Sequence, residues 1–184
     1  MKVMLTSAGL ETESLKNFFV KLIRKDMMCV KALFIPTAAV DADAIAVLPK
    51  CMNDLLKCGI PAKNITVYDL HTGMAYDEII QYDVVYICGG RTEYLLQRIN
   101  ETGFNNTLMA YIRADKLVIG VSAGSVIFAG NLTNNLGLID TKLDVHCPDG
   151  EQKGKTAFPL KANIRLTNTQ AMLIYDTDNA EIIE

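Results

Sequence analysis

The chain has 184 residues, of which 50% are hydrophobic and 21% are charged, so it is long enough to bury the core of one domain. Its net charge of −3 and its isoelectric point of about 5.4 come without a basic patch, which argues against a nucleic-acid partner. No apolar run reaches the length of a membrane span, and the five cysteines form no C-x-x-C pair. The first residues run directly into an apparent strand. These features predict a cytoplasmic protein with free thiols, no membrane partner, no metal site and no cofactor.

The first 130 residues alternate between strand-like and helix-like segments. The predicted strands are short apolar runs, at Lys2–Ser7, Lys31–Ile35, Ile65–Leu70, Val84–Cys88 and Leu117–Val121. The predicted helices carry apolar residues at helical spacing, at Glu11–Lys25, Ala44–Lys57, Tyr76–Tyr82, Thr92–Ile99 and Asn106–Arg113. Because the strands are apolar nearly throughout, helices should cover both faces of the sheet. The pattern predicts a doubly wound, mostly parallel α/β sheet, with its sites at the carboxyl ends of the strands.

Local signals refine these elements. Thr12 or Ser14 is suited to cap the first helix, and Pro49 predicts a kink or a late start in the second. After Gly130 the chain becomes polar and rich in turns. Further strands are predicted at Phe158–Leu166 and Ala171–Tyr175, followed by a turn at Asp176–Asn179 and a last strand at Glu181–Ile183. We interpret the C-terminal part as a small antiparallel β appendage on a single domain that spans residues 1–184.

A Gly-x-Ser-x-Gly sequence follows the last of the five strands. It places Ser122 between Gly120 and Gly124, with an apolar, helix-compatible run after it. In a nucleophile elbow of this kind the serine sits on a strained turn, and small neighbours let strand and helix approach closely. A helix N-terminus there would also direct partial positive charge at the hydroxyl. The alternative is a glycine-bearing strand–helix turn with a capping serine.

A serine nucleophile needs a base, and the chain has only two histidines. His146 follows Ser122 by 24 residues, in the Ser-then-His order of elbow hydrolases, whereas His71 is most simply a loop residue. The backbone N–H of Ala123 is the expected first oxyanion donor. Gly90, in the Gly-Gly sequence at the end of the fourth strand, is the expected second donor.

The third member of a triad is left open by the sequence. Asp140 and Asp144 lie between the serine and the histidine, and Asp144 should point to the same face as His146 in an extended segment. Asn134 and Asn135 offer an amide that could orient the ring instead. Two cysteines, Cys88 and Cys147, are rival nucleophiles; the first ends a buried strand and the second adjoins His146.

Three segments resemble one known family. Leu33–Ala38 (LFIPTA), Cys88–Leu96 (CGGRTEYLL) and Ile119–Ser125 (IGVSAGS) resemble the F-I-P-T-A, G-G-N-T-F-x-L-L and I-G-x-S-A-G-A/S patterns of the aspartyl dipeptidase (peptidase E) family of serine peptidases. The resemblance implies a class I glutamine amidotransferase-like, flavodoxin-type fold. It also implies Ser122 as nucleophile, Gly90 and Ala123 as oxyanion donors and, through the segment from Leu136, His146 as base.

The chain also departs from the family pattern. Arg91 replaces the asparagine beside the oxyanion glycine, and its guanidinium is a candidate to bind a substrate carboxylate. The segment between Ser122 and His146 is shorter than in the dipeptidases, and Val145 stands where a proline is usual.

We therefore predict a serine hydrolase of the peptidase E type that cleaves a small peptide or a related amide, with a homodimer as the candidate assembly. The alternative is a catalytically impaired binding or regulatory homologue on the same scaffold. A lesser alternative is an amidase or glyoxalase-like enzyme that uses cysteine.

Overall fold

The computed structural model describes residues 1–157, 163–176 and 179–184, and its central feature is an eight-stranded sheet. The ten strands of the described residues are β1 (Lys2–Thr6), β2 (Ala32–Ile35), β3 (Ile65–Val67), β4 (Val84–Ile87), β5 (Leu117–Val121), β6 (Lys142–Asp144), β7 (Gly154–Ala157), β8 (Asn163–Arg165), β9 (Ala171–Ile174) and β10 (Asn179–Ile183). The sheet has the order β3-β2-β4-β5-β1-β9-β10-β7, while β6 and β8 form a separate pair.

Six α-helices occur in the same residues. They are α1 (Glu13–Ile23), α2 (Ala42–Lys57), α3 (Tyr76–Ile79), α4 (Thr92–Glu101), α5 (Phe104–Arg113) and α6 (Ala123–Val126). Each predicted strand and helix of the first 130 residues is present, with ends that differ by up to three residues. Thr12 caps α1 by accepting a hydrogen bond from the Leu15 amide at 3.1 Å, and Pro49 lies inside a helix that starts early rather than late.

The core forms two layers, one on each face of the sheet. Alternate residues of a strand enter different layers: Val3 and Leu5 pack with α4 and α5, whereas Met4 packs with α1 and α2. The same alternation in β2 and β4 explains why these strands are apolar at every position. The predicted doubly wound architecture is therefore confirmed.

The parallel strands β3, β2, β4, β5 and β1 bring their carboxyl ends to one edge of the sheet. The loops after β1, β2, β4 and β5 consequently meet there. This edge carries Ser7, Ala38, Gly90 and Ser122, and it is where an open α/β sheet forms its sites.

The C-terminal strands extend the main sheet. β9 pairs antiparallel with β1, and β10 and β7 follow outward. The predicted strands Ala171–Tyr175 and Glu181–Ile183 are thus present as β9 and β10 but continue the central sheet, whereas β7 was not predicted. The separate pair β6–β8 is parallel. Residues 158–162 of the predicted strand Phe158–Leu166, and residues 177–178 of the predicted turn, lie outside the described residues.

Across the described ranges, no helix combines the length and the apolar composition that a bilayer crossing requires.

Candidate active site

Ser122 occupies a strained backbone position between β5 and α6. Its φ of 49° and ψ of −112° lie outside the regions that non-glycine residues prefer. A Cβ at Gly120 would lie 2.3 Å from the carbonyl oxygen of Gly124, and a Cβ at Gly124 would lie 2.3 Å from that of Ile87. Both glycines of the motif are thus required by close backbone approach, as in a nucleophile elbow.

The end of β1 holds this turn in place. The Ser122 amide donates to the Thr6 carbonyl at 3.0 Å, and the Ser125 hydroxyl donates to the same carbonyl at 2.8 Å while accepting from the Thr6 amide at 2.9 Å. Thr6 and Ser125 are fully buried. Because α6 has only four residues, its dipole adds less than the sequence led us to expect, and the rigid hydrogen bonds fix the serine instead.

His146 lies directly against the serine. Its Nε2 is 3.0 Å from Ser122 Oγ, which is hydrogen-bond distance for a general base and its nucleophile. Its own backbone is in the left-handed region at φ 58°, and its amide donates to Ser7 Oγ at 2.5 Å. The loop after β1 therefore positions both residues of the pair, the serine through Thr6 and the histidine through Ser7.

The other ring nitrogen contacts an asparagine that the sequence did not indicate. His146 Nδ1 is 2.7 Å from Asn168 Oδ1. The Ser7 hydroxyl donates to the same oxygen at 3.3 Å. The amide oxygen faces the ring and suits the tautomer in which Nδ1–H donates a hydrogen bond to it, and in that tautomer Nε2 is free to accept the Ser122 proton.

The small β6–β8 pair explains how residues 22 positions apart meet. Its register aligns Asp144 with Arg165, and the ladder continues where the Leu166 amide donates to the Asp144 carbonyl and the Cys147 amide donates to the Leu166 carbonyl. His146 and Asn168 follow the two strands within three residues, so both emerge at the same place. The Asn131 side chain donates to the Leu143 carbonyl and accepts from the Leu143 amide. These two hydrogen bonds anchor β6 to the segment that follows α6.

The residues that the sequence offered as the third member lie away from the ring, and Asn134, the fourth of them, is exposed with a backbone φ of 63°. Asp144 accepts a hydrogen bond from the Asn163 side chain at 3.2 Å. Asn135 binds the Leu132 carbonyl and the Gly137 amide, and Asp140 is exposed beside Gly130. None of them contacts the His146 ring in the described residues, and the correction follows from β6: its pairing with β8 brings Asn168 to that position.

The predicted oxyanion donors are the residue after the serine, Ala123, and Gly90, which lines the same cleft as the serine. Ala123 is the first residue of α6, so its N–H has no partner within the helix. Gly90 has φ 139°, and a Cβ there would lie 2.0 Å from the Ala38 carbonyl oxygen, so only glycine fits between the two loops. Gly89 also lies against the serine, with its Cβ position 3.1 Å from Ser122 Cβ.

Arg91 points to a neighbouring acid. Its guanidinium pairs with Asp41 at 2.9 Å, with both side chains more than half exposed. Arg91 is outside the set of residues that line the cleft above Ser122. His71 lies on the surface beside Asp69 at 3.3 Å, as its loop assignment predicts.

Neither rival cysteine has a base at hydrogen-bond distance from its thiol in the described residues. Cys88 is fully buried, and burial raises the pKa of its thiol well above the ordinary value. Cys147 is only partly buried, and its Sγ lies 3.8 Å from the Val145 carbonyl oxygen. Neither thiol has the adjacent base that Ser122 has in His146.

A buried carboxyl group underlies the loop after β1. Asp54 of α2 is 7% exposed and accepts hydrogen bonds from the Tyr86 hydroxyl at 2.6 Å and the Leu10 amide at 2.9 Å. Burial raises the pKa of Asp54, and the two hydrogen bonds oppose that rise. No signal in the sequence singled out this residue, because its partners are distant in the chain.

The serine opens into a cleft of about 410 Å³ between α2 and the loop after β1. It is lined by Ser7, Ala8, Glu11, Asp43, Ala44, Val47, Leu48, Lys50, Cys51, Gly89, Gly90, Val121, Ser122, His146 and Asn168. In the part of the chain that the structure describes, no group of three or more histidine, cysteine or acidic side chains is arranged to hold a metal ion.

Comparison with known families identifies the class of protein to which this site belongs. The model of peptidase family S51 matches residues 3–143, and the chain therefore belongs to that family, the peptidase E family that the motifs indicated. The match includes Ser122, Ala123 and Gly90 but ends before His146 and Asn168.

Individual relatives agree with the family assignment. An uncharacterized peptidase of Listeria monocytogenes is 29% identical over 113 residues, which are 61% of this chain and 55% of the relative. An uncharacterized peptidase of Pasteurella multocida is 29% identical over 99 residues, which are 54% of this chain and 48% of the relative. The aligned region thus spans about half the length of these curated relatives.

Solved structures confirm the fold. A crystal structure of a peptidase E candidate from Listeria monocytogenes superposes with a TM-score of 0.72 at 23% identity and covers 100% of this chain and 98% of its own. A peptidase from an acI-B1 Actinobacterium gives a TM-score of 0.66 at 17% identity, over 94% of this chain and 82% of its own. The flavodoxin-like class predicted from the sequence is correct.

Proposed function

We propose that the protein is a serine peptidase that cleaves a small peptide or a related amide through an acyl-enzyme on Ser122. The observation that carries the proposal is the 3.0 Å approach of His146 Nε2 to a serine hydroxyl on a strained elbow. A strained serine that meets a histidine in hydrogen-bond geometry is the arrangement that nucleophilic catalysis needs. Membership of a peptidase family supports it independently.

The reaction follows from the positions of these groups. Ser122 Oγ attacks the scissile carbonyl carbon while its proton passes to His146 Nε2, and Asn168 Oδ1 accepts a hydrogen bond from Nδ1–H of the resulting imidazolium. The backbone N–H groups of Gly90 and Ala123 stabilise the oxyanion. His146 then gives its proton to the leaving amine, so the C–N bond breaks and the acyl group stays on Ser122.

Deacylation repeats the sequence with water. His146 removes a proton from a water molecule, the hydroxide attacks the ester carbonyl, and the proton returns to Ser122 Oγ as the acid leaves. His146 is exposed to solvent, so water reaches the base without rearrangement.

Covalent labelling tests the proposal. We expect a fluorophosphonate probe to add to wild-type protein at Ser122, and we expect Ser122→Ala and His146→Ala to abolish the adduct seen by intact-mass spectrometry. Ser14→Ala and His71→Ala are matched controls, because Ser14 is exposed on α1 and His71 lies on the surface. Equal labelling of Ser122→Ala, or no labelling of wild type, would contradict the proposal.

Turnover and inactivation assays separate the alternatives. A binding or regulatory homologue predicts no turnover of a dipeptide library by wild-type protein. A cysteine enzyme predicts that iodoacetamide abolishes activity and that Cys88→Ser or Cys147→Ser is inactive. We expect activity to persist in both cysteine variants, because Cys88 is buried and Cys147 lacks a base.

A further inference from the structure

The cleft beside Ser122 has a chemical character of its own, which the family assignment does not supply. One wall is a single face of α2. Ala44, Val47, Leu48 and Cys51 recur there at the i, i+3, i+4 and i+7 positions that align on one side of a helix. Val47 is 48% exposed although it lines the cleft, so its apolar surface is available to a bound molecule.

The charged side chains that line the cleft leave it with a net negative charge. Lys50 is the cation among the lining residues that the structure describes, and Glu11 neutralises it in a direct ion pair. Asp43 also lines the cleft, and within the described chain it makes no ion pair and no side-chain hydrogen bond. Arg91 lies outside the lining and is held by Asp41. The net charge that remains inside is therefore negative.

The volume limits the size of the occupant. A cleft of about 410 Å³ is in the range of small-ligand sites and is too small for a folded protein segment. A carboxylate side chain placed there would face Asp43 without a cationic partner, whereas an apolar side chain would bury surface against Ala44, Val47 and Leu48.

We propose that the acyl-side residue of the substrate is an N-terminal residue with an apolar side chain, which packs on the α2 face while its free ammonium group pairs with Asp43. The inference rests on the proposed serine-peptidase function and adds the substrate class to it. An acidic N-terminal residue is disfavoured by the same groups. The released products are an apolar amino acid and the remaining amine.

The experiment compares three aminomethylcoumarin amides, those of leucine, aspartate and N-acetyl-leucine. We expect kcat/KM for the leucine amide to exceed that for the aspartate amide by about 10- to 100-fold, the range that burial of one leucine side chain supplies. Acetylation removes the ammonium group, so we expect the third amide to be cleaved about fivefold less efficiently than the first, since an exposed ion pair is a small effect.

Two variants test the residues. Asp43→Asn should lower kcat/KM for the leucine amide about fivefold and leave the acetylated amide unchanged, whereas Asp77→Asn, an exposed acid on α3 outside the cleft, should change neither. Val47→Arg adds a cation to the apolar wall and should move the preference toward the aspartate amide.

The outcomes separate this inference from the proposed function. Fluorophosphonate labelling of Ser122 is measured on the same preparation. If labelling is intact and the aspartate amide is cleaved as well as or better than the leucine amide, or none of the three is cleaved, the substrate inference is wrong and the serine mechanism stands. If labelling fails, the proposed function itself is overturned.

Discussion

His146 Nδ1 and Asn168 Oδ1 lie 2.7 Å apart, on the opposite side of the imidazole ring from Ser122. The amide oxygen is placed to hold the ring in the tautomer that a base requires, but it carries no charge to offset the imidazolium that the proposed acylation would form. The Ser122–His146–Asn168 arrangement thus has the geometry of a triad with a neutral third member, as in the Cys-His-Asn sites of papain-like enzymes.

Asn168 gives the first prediction. We expect Asn168→Leu, which is close in size but cannot accept a hydrogen bond, to lower kcat/KM about tenfold, because one exposed neutral hydrogen bond is lost. Asn168→Asp retains an acceptor at the same position and should keep most of the activity. Steady-state kinetics on one peptide amide checks both variants. Equal losses in the two variants would mean that hydrogen bonding to the ring is unimportant.

Ser7 gives the second prediction, through its contact with the same amide oxygen. Its hydroxyl donates to Asn168 Oδ1 and accepts from the His146 amide, so it fixes which side of the amide faces the ring. We expect Ser7→Ala to lower kcat severalfold, a change that corresponds to the net free energy of about one hydrogen bond. The effects of Ser7→Ala and Asn168→Leu should be less than additive in a double-mutant cycle, because both act on one contact. Full additivity would show that Ser7 acts independently.

The sequence was sufficient for the parts of the site that depend on local pattern. The elbow at Ser122 and the Gly89-Gly90 turn are read from neighbouring residues, and the order of apolar runs brings them to one edge of the sheet. Asn168 could not be found in this way. Its approach to His146 depends on parallel pairing between β6 and β8, and neither strand has more than three residues. The sequence offered Asp140, Asp144, Asn134 and Asn135 without deciding among them, because extended geometry alone does not select a contact.

Gly90 gives the third prediction, on folding and acylation together. An alanine Cβ there would lie 2.0 Å from the Ala38 carbonyl oxygen in a backbone with φ 139°. We expect Gly90→Ala to lower the free energy of unfolding by about 1–3 kcal/mol and to slow acylation strongly, because the oxyanion loop must move. Gly137→Ala is the matched control, since Gly137 also has positive φ but has nothing within 4 Å of its Cβ position. Denaturant unfolding and labelling rates check the two; equal acylation rates would contradict the oxyanion assignment.

Arg91 gives the fourth prediction. Its pairing with Asp41 occupies the guanidinium, and an exposed pair of this kind contributes at most about 1 kcal/mol. We expect Arg91→Ala to leave the ratio of KM values for acidic and neutral peptides unchanged. A selective rise in KM for acidic peptides would restore the substrate-carboxylate role that the sequence suggested for Arg91. Asp41→Asn serves as a companion variant, because it releases the guanidinium without removing it.

Asp54 gives the fifth prediction, on the pH dependence of stability. Its pKa is raised in the folded protein by burial, above the ordinary value of 3.8. Between these two pKa values the unfolded chain has lost the proton while the folded chain keeps it, so this group lowers the free energy of unfolding as pH rises, by up to about 1.4 kcal/mol per pH unit. The stability it contributes is complete below 3.8 and is lost as pH rises to the folded pKa.

Two variants isolate that contribution. Asp54→Asn keeps an acceptor for the Tyr86 hydroxyl and the Leu10 amide but does not titrate, so its stability curve should lack the fall seen in the wild-type protein. Tyr86→Phe removes a hydrogen bond that favours the carboxylate, so the fall should extend to higher pH. Asp77→Asn, on the exposed surface of α3, should follow the wild-type curve. Urea unfolding at a series of pH values measures all four proteins, and identical pH dependence in wild type and Asp54→Asn would contradict the assignment, because no other substitution separates them.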